Sequence, residues 1–191
     1  MKKLIWFTTT FILFVIFVFP ALMASTINMT PSGVQPGYKY DIRLSIYKER
    51  DIKQEFVSRE KNLTAVATSI RNPNLKNKKE IILNLYDENN TLLRTSLLSG
   101  KNIEDGDFVK FVFEPINDSA DVKYNFTLSS PDSGLGETIE VFIIEPTGEV
   151  LNYTYGEETK EGGVPLVTFH KPSTKWEIVK RVYSNLFSRL L

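Results

Sequence analysis

The sequence predicts an all-β protein, an antiparallel, jelly-roll-like β-sandwich with one helix before it and one after it. Three observations predict this. An uncharged apolar run fills residues 4–24, short alternating runs follow from residue 38 to residue 170, and an amphipathic helical repeat closes the chain. With 42% hydrophobic and 12% aromatic residues, the chain can bury a packed core.

The N-terminal run predicts a membrane segment. It reads LIWFTTTFILFVIFVFPALMA, and no charged residue occurs between Lys3 and Lys39. As a helix, 21 residues span about 31 Å, close to the hydrocarbon thickness of a bilayer. Lys2 and Lys3 predict that this end stays in the cytoplasm. The remainder is therefore expected on the extracytoplasmic side.

Residues 1–24 are predicted to be either a cleaved signal sequence or a retained transmembrane anchor. Pro20 is expected to end the helix, which favours a signal sequence. Cleavage after Ala24 would place Leu22 at position −3, where a small residue is preferred, and this favours an anchor. The sequence leaves both alternatives open.

The middle of the chain predicts a β-sandwich. Residues 25–37 are polar and rich in Pro and Gly, and are predicted to be a linker. Residues 38–171 are predicted to form the domain, because period-2 alternation with β-branched and aromatic residues marks half-buried strands. About ten strands are predicted, at residues 38–47, 52–57, 62–71, 80–87, 91–98, 108–116, 122–130, 138–145, 150–155 and 165–170.

Several of these segments carry a family resemblance. They are Gln54-Glu55-Phe56-Val57, Asn62-Leu63-Thr64-Ala65-Val66, Asn102-Ile103-Glu104-Asp105, Phe111-Val112-Phe113-Glu114-Pro115-Ile116-Asn117-Asp118-Ser119 and Tyr124-Asn125-Phe126. Over roughly residues 50–145, the chain resembles extracytoplasmic jelly-roll modules, similar to carbohydrate-binding modules, that accompany bacterial membrane proteins, including membrane glycosyltransferases. The resemblance implies a jelly-roll fold and an outward location, and sugar binding is an activity that such modules can have. The catalytic role of the larger proteins does not transfer, because this sequence has no multi-span bundle after the module.

Residues 172–191 predict an amphipathic helix. Thr174 and Glu177 have the spacing of a capping box at its start. We predict that it lies at the membrane interface, with apolar side chains in lipid and basic ones near anionic headgroups. The alternatives are a helix packed on the domain and a helix that binds a protein partner. The predicted interface residues are Trp176, Val179, Tyr183, Leu186, Phe187, Leu190, Lys180, Arg181 and Arg189.

The sequence contains little that predicts catalysis or metal binding. It has no cysteine, and its one histidine, His170, ends a predicted strand outside any nucleophile motif. We therefore predict a protein that is not an enzyme and has no cofactor. Asp105 and Asp107 are the candidates for a calcium site, and an acidic hairpin turn is the alternative.

Two tyrosine pairs are candidate ligand-binding residues. Tyr38 and Tyr40, and likewise Tyr153 and Tyr155, lie two positions apart, so each pair shares one face of a strand. Exposed, such a face would stack against sugar rings. If the face points inward, its tyrosines would belong to the core or pack near the membrane, which we consider the better explanation.

Charge narrows the class of partner. From residue 25 to residue 170 there are 16 basic and 22 acidic residues, a net charge of −6, which argues against nucleic acid. The predicted function is a membrane-anchored module that binds cell-surface carbohydrate. The alternative is a structural or assembly subunit that positions a membrane protein partner such as a glycosyltransferase.

Overall fold

The computed structural model describes residues 2–32 and 42–188, without the side chains of Leu4, Asp107 and Leu186. The chain forms two compact units. One comprises Met1–Thr30 and Lys171–Leu191, and the other comprises Pro31–His170. Tyr38 and Tyr40 lie outside the described residues.

The larger unit is a β-sandwich, which confirms the predicted fold class. Strands β3 and β5 alternate clearly between buried and less buried residues, whereas β1 has only two residues and β11 is polar throughout. The strands are β1 (Thr30–Pro31), β2 (Arg43–Ile46), β3 (Ile52–Ser58), β4 (Leu63–Arg71), β5 (Glu80–Tyr86), β6 (Leu92–Ser99), β7 (Asp105–Ile116), β8 (Val122–Ser129), β9 (Ile139–Phe142), β10 (Val150–Tyr155), β11 (Glu158–Glu161) and β12 (Leu166–His170).

The strands form two six-stranded antiparallel sheets. In the first sheet the order is β1-β12-β4-β9-β2, and β7 pairs with the other side of β4. In the second sheet the order is β11-β10-β3-β8-β5-β6. Strands distant in sequence are neighbours in this second sheet, since β3 lies between β10 and β8.

The core lies between the sheets and is built from the inward residues of each strand. Phe56, Phe111 and Phe126 are its largest fully buried side chains. Each such side chain contributes about 1.5–3 kcal/mol through burial. In β3 and β5 every second residue is buried, so the residues between them point away from the core.

A buried side-chain amide in β3 binds the segment that connects β11 to β12. Gln54 is fully buried in β3. Its Nε2 donates to the Val164 carbonyl at 3.2 Å, and the Val164 N–H donates to its Oε1 at 2.6 Å. A side chain added at Gly163 would lie 2.3 Å from the same Oε1. The segment therefore passes close to β3 and is satisfied by one side chain.

The predicted acidic turn at residues 104–107 is wrong, because Asp105 already belongs to β7. The chain turns earlier, in a short 3-10 helix at Gly100–Asn102. Asn72 is buried and donates to the Gly100 carbonyl at 3.0 Å. Gly106, with φ of 93°, accompanies a shift in the pairing of β7 with β4. The glycine that suggested a turn therefore marks a β-bulge.

The outer edge of β7 is covered by side chains from β6. Among the described strands, β7 pairs only with β4. Arg94 Nε donates to the Glu114 carbonyl at 2.9 Å, and Ser96 Oγ donates to the Val112 carbonyl at 3.0 Å. These bonds occupy carbonyl groups that would otherwise offer an edge for pairing with another chain.

The smaller unit is helical. It contains α1 (Lys2–Leu13), a π-helical segment (Phe14–Val18), α2 (Phe19–Thr26) and α3 (Lys175–Ser188). Residues Ile5–Thr26 form one continuous helical stretch of 22 residues, long and apolar enough to cross a membrane, a property that signal sequences share. The expectation that Pro20 ends the helix is wrong, because Pro20 stands in the first turn of α2, where its missing N–H is tolerated.

Helix α3 begins as the sequence predicts. The Glu177 N–H donates to Thr174 Oγ1 at 3.3 Å, and the Ser173 N–H donates to Glu177 Oε2 at 3.0 Å. Ile178 is buried, whereas Trp176 and Phe187 are 64% and 52% exposed.

Candidate functional site

The outward side of the second sheet carries a broad polar area, which we call the polar face, and the apolar outward residues Val57, Ile82 and Leu97 lie beside it. Directly paired residues on neighbouring antiparallel strands share one side of a sheet. The pairing therefore arranges the outward residues in rows that run across the strands. The polar face comprises Lys53, Glu55, Asn84, Tyr86, Thr95, Lys123, Asn125, Thr127, Asn152, Thr154 and Thr159.

One row crosses all six strands of the sheet. It consists of Thr159, Thr154, Lys53, Thr127, Asn84 and Thr95. At about 4.8 Å between strands, this row extends over about 24 Å. It offers hydroxyl and amide groups at nearly every step, which suits an elongated ligand rich in hydroxyl groups.

A second row lies at the centre of the same face. Glu55 pairs with Asn125, and Asn125 pairs with Tyr86. Glu55 and Tyr86 are half-buried, whereas Asn125 is only 6% exposed. A carboxylate, an amide and an aromatic ring thus lie side by side.

The charge of Glu55 is stabilised by its neighbours. Its Oε2 accepts from Asn152 Nδ2 at 3.2 Å and lies 3.1 Å from Lys123 Nζ. Burial raises the pKa of Glu55, but the hydrogen bonds from Lys123 and Asn152 and the charge of Lys123 outweigh this effect. The pKa of Glu55 therefore lies below its ordinary value of 4.5.

Glu55 is expected to make the stability of the domain depend on pH. A carboxyl group whose pKa is lowered by folding stabilises the protein above its unfolded-state pKa. This stabilisation is lost as pH falls from about 4.5 through the lower folded-state value. Wild type and Glu55→Gln should thus differ in melting temperature at neutral pH, and this difference should shrink as the pH falls below about 4.5. A difference that stays constant in thermal unfolding from neutral to acidic pH would contradict this account.

Asn125 carries an unsatisfied buried atom. Its Oδ1 is buried without a hydrogen-bond partner, and in the part of the chain that the structure describes the one other such side-chain atom is Thr68 Oγ1. A buried acceptor without a donor costs on the order of 1–3 kcal/mol. A hydroxyl group of a ligand is the kind of donor that would remove this cost, so the centre of the polar face is the strongest candidate site.

The predicted tyrosine pair of β10 lies on the opposite side of the sheet from the polar face. Tyr153 is 6% exposed and belongs to the core. Tyr155 is half-buried against the core and donates its hydroxyl to the Ser45 carbonyl at 2.7 Å. These two rings therefore offer no exposed platform.

Asp105, one of the two candidate calcium ligands, pairs with Arg71, which also pairs with Glu140. Asp105 Oδ1 lies 2.7 Å from Arg71 Nε, and the Asp107 side chain lies outside the described residues. Among the residues that the structure describes, no three His, Asp or Glu side chains are grouped to hold a metal ion. Asp105 instead links β7 to β4 through Arg71.

His170 occupies a buried structural position. Its Nδ1 lies 3.1 Å from the Lys61 carbonyl, and its Nε2 lies 3.1 Å from Thr168 Oγ1. A carbonyl can only accept a hydrogen bond, so Nδ1 carries the proton and donates, which leaves Nε2 to accept from the threonine hydroxyl. Both nitrogens are used within the fold.

The predicted membrane-interface residues of α3 differ in exposure. Trp176, Lys180, Arg181 and Phe187 are exposed, whereas Val179 and Tyr183 are half-buried. The Leu186 side chain and the residues Arg189 and Leu190 lie outside what the structure describes.

The sequence contains a signal for Tyr86 and Asn125, although neither belongs to one of the tyrosine pairs. In β5, Tyr86 alternates with buried Leu85, and in β8, Asn125 precedes buried Phe126. Alternation alone places both residues on the outward side of their strands. Their proximity follows only from the pairing of β5 with β8.

No protein-family model matches this sequence. A search of curated proteins finds no chain similar to it.

Proposed function

We propose that this chain is a membrane-anchored extracytoplasmic module, without enzymatic activity, that binds cell-surface carbohydrate through the polar face. The observation that carries the proposal is Asn125. Its buried, unpaired Oδ1 lies in the middle of a sheet face whose other outward groups are mostly amides and hydroxyls. An apolar residue would be the more stable choice there if the face had no ligand.

The chemistry of the face favours a neutral, hydroxyl-rich ligand. Its three charged side chains already have partners, because Lys123 lies beside Glu55 and Lys53 Nζ donates to Asn90 Oδ1 at 2.7 Å. Tyr86 lies next to Asn125 and supplies an apolar ring edge beside polar groups. A sugar ring likewise combines apolar and polar groups, so it is complementary to this part of the face. The resemblance to carbohydrate-binding modules supports the same class of ligand.

The N-terminal helix supports the membrane location. Its side chains from Ile5 to Phe19 are largely exposed, with Trp6 at 73% and Phe17 at 61%. Exposed apolar side chains over this length are unfavourable in water and favourable in lipid. Lys2 and Lys3 support an orientation with the β-sandwich outside.

The full chain in lipid nanodiscs, applied to a glycan array, tests the proposal, with empty nanodiscs as the control. We expect retention on a related set of glycans. Thr127→Val, which removes one hydroxyl from the long row and keeps the side-chain shape, should weaken retention. Failure of the wild-type protein to bind any glycan above empty nanodiscs would overturn the carbohydrate proposal.

A second candidate is a structural subunit that positions a membrane protein. Polar side chains on α3, including Ser184 and Asn185, are exposed. Polar groups at bilayer depth commonly contact other membrane segments. Crosslinking in native membranes distinguishes the candidates, because one stoichiometric membrane partner favours the structural subunit.

A further inference from the structure

Pro20 removes one backbone donor from the N-terminal helix. In an α-helix the Ile16 carbonyl would accept from the N–H of residue 20, but Pro20 has none. The helix widens just before the proline, where the Phe19 N–H donates to the Phe14 carbonyl. Carbonyls that lack a donor are strongly unfavourable in lipid, so a donor from another segment stabilises this position.

Tyr183 of α3 supplies that donor. Its hydroxyl lies 2.7 Å from the Ile16 carbonyl and 3.0 Å from the Phe17 carbonyl. A tyrosine in this position brings its ring into apolar surroundings and ends in one polar group. The defect at Pro20 is thus repaired by the other end of the chain.

Lys175 makes a matching contact at the end of α2. Its Nζ lies 2.8 Å from the Ile27 carbonyl and 3.1 Å from the Ser25 carbonyl. The last carbonyls of a helix lack helical partners and attract positive charge. Because Lys175 contacts residues 25–27 and Tyr183 contacts residues 16–17, the two helices run antiparallel.

The apolar side chains of this helix pair fit the same arrangement, and the exposed Lys180 and Arg181 are long enough to extend to the headgroups. Pro20, Ala24 and Ile178 are buried in it. Trp176 and Phe187 are exposed and lie 11 residues apart, about 16 Å along α3, which is close to half a bilayer. Trp176, beside Lys175, is suited to the headgroup level, where tryptophan is enriched, and Phe187 to the acyl chains.

We infer that α3 enters the outer half of the bilayer beside the N-terminal helix, forming a membrane-embedded hairpin that retains residues 1–24 as an anchor. This inference rests on the membrane location proposed above. It differs from the predicted surface helix in that α3 follows the N-terminal helix into the acyl chains. Ala24 is fully buried within α2, so cleavage after it would require α2 to unfold and α3 to separate.

Single cysteines test the depth of α3, because the chain has no native cysteine. Ser173 precedes the helix, whereas Ser184 and Ser188 are exposed polar positions along it. In intact cells, a membrane-impermeant maleimide should label Ser173→Cys and leave Ser188→Cys unlabelled until detergent is added. Labelling of Ser184→Cys should be intermediate between the two. A helix lying flat on the surface would direct these serines to water, so labelling of Ser188→Cys as fast as Ser173→Cys would overturn the inference.

A double-mutant cycle tests the contact of Tyr183 with the proline-freed carbonyl. In the Ser188→Cys protein, Tyr183→Phe should raise labelling roughly fivefold, the factor that corresponds to one hydrogen bond. Pro20→Ala restores the missing N–H, so in that background Tyr183→Phe should have little effect. Tyr155→Phe, which removes a tyrosine hydroxyl from a carbonyl in the β-sandwich, is the matched control and should change nothing. An equal effect of Tyr183→Phe with and without Pro20 would contradict the assigned contact.

The same experiments separate this inference from the proposed function. Labelling of Ser173→Cys only after permeabilisation would refute the extracytoplasmic location, while the comparison with Ser188→Cys would still report depth. A chain found without residues 1–24 by intact mass would overturn the hairpin and leave glycan binding to be judged by the array.

Discussion

Replacement of Gln54 by methionine is expected to lower the free energy of unfolding by about 2–5 kcal/mol, because it leaves two buried backbone groups unpaired. The groups are the N–H and carbonyl of Val164, which bond to the two ends of the Gln54 amide. Methionine has a similar length, so the change removes hydrogen bonds with little change in packing. The melting temperature should fall by about 5–15 °C.

Denaturant unfolding of the full chain in detergent, followed by circular dichroism, measures this change in the free energy of unfolding. A matched control is Thr68→Val, which replaces a fully buried polar side chain with an isosteric apolar one. Since Thr68 Oγ1 has no partner, this control should not destabilise the domain. Wild-type stability of Gln54→Met would show that the segment from β11 to β12 is held by other contacts.

Replacement of Asn125 by leucine is expected to have the opposite effect on stability. It removes a buried oxygen without a partner, and should raise the free energy of unfolding by about 1–2 kcal/mol. Leucine has the same branched arrangement of heavy atoms as asparagine, with methyl groups in place of the amide oxygen and nitrogen, and suits a site that is 6% exposed. The same variant should lose carbohydrate binding, because Asn125 stands at the centre of the polar face.

The pairing of these two effects is what makes the Asn125 prediction specific. A residue kept only for folding should lose stability when replaced, whereas a residue kept for a ligand can gain stability as function is lost. Thr68→Val again serves as the control, since it should gain stability and keep binding. A destabilised Asn125→Leu protein would show that the amide is satisfied within the fold.

The sequence predicted where the strands and helices of this protein lie better than it predicted which of them are neighbours. Alternation located β3 and β5 because each is buried on one side and polar on the other. It could not show that β3 lies between β8 and β10, since pairing between strands about 70 and 95 residues apart depends on the whole core. The row Glu55–Asn125–Tyr86 therefore emerges only in the folded sheet.

The helical ends show the same limit. Spacing predicted that α3 is amphipathic and begins at a capping box, and the hydrogen bonds of Thr174 and Glu177 agree. The prediction that Pro20 ends the first helix considers only hydrogen bonds within that helix, where Pro20 lacks an N–H. The donor that compensates for it, Tyr183, lies over 160 residues away in the chain.

Carbohydrate binding by the polar face is tested most directly by comparing wild type, Asn125→Leu and Thr68→Val, as full chains in nanodiscs, on one glycan array. The account predicts that wild type and Thr68→Val bind the same glycans, and that Asn125→Leu, although folded and more stable, binds none of them. Equal binding by Asn125→Leu, or no binding by the wild-type chain, would contradict it.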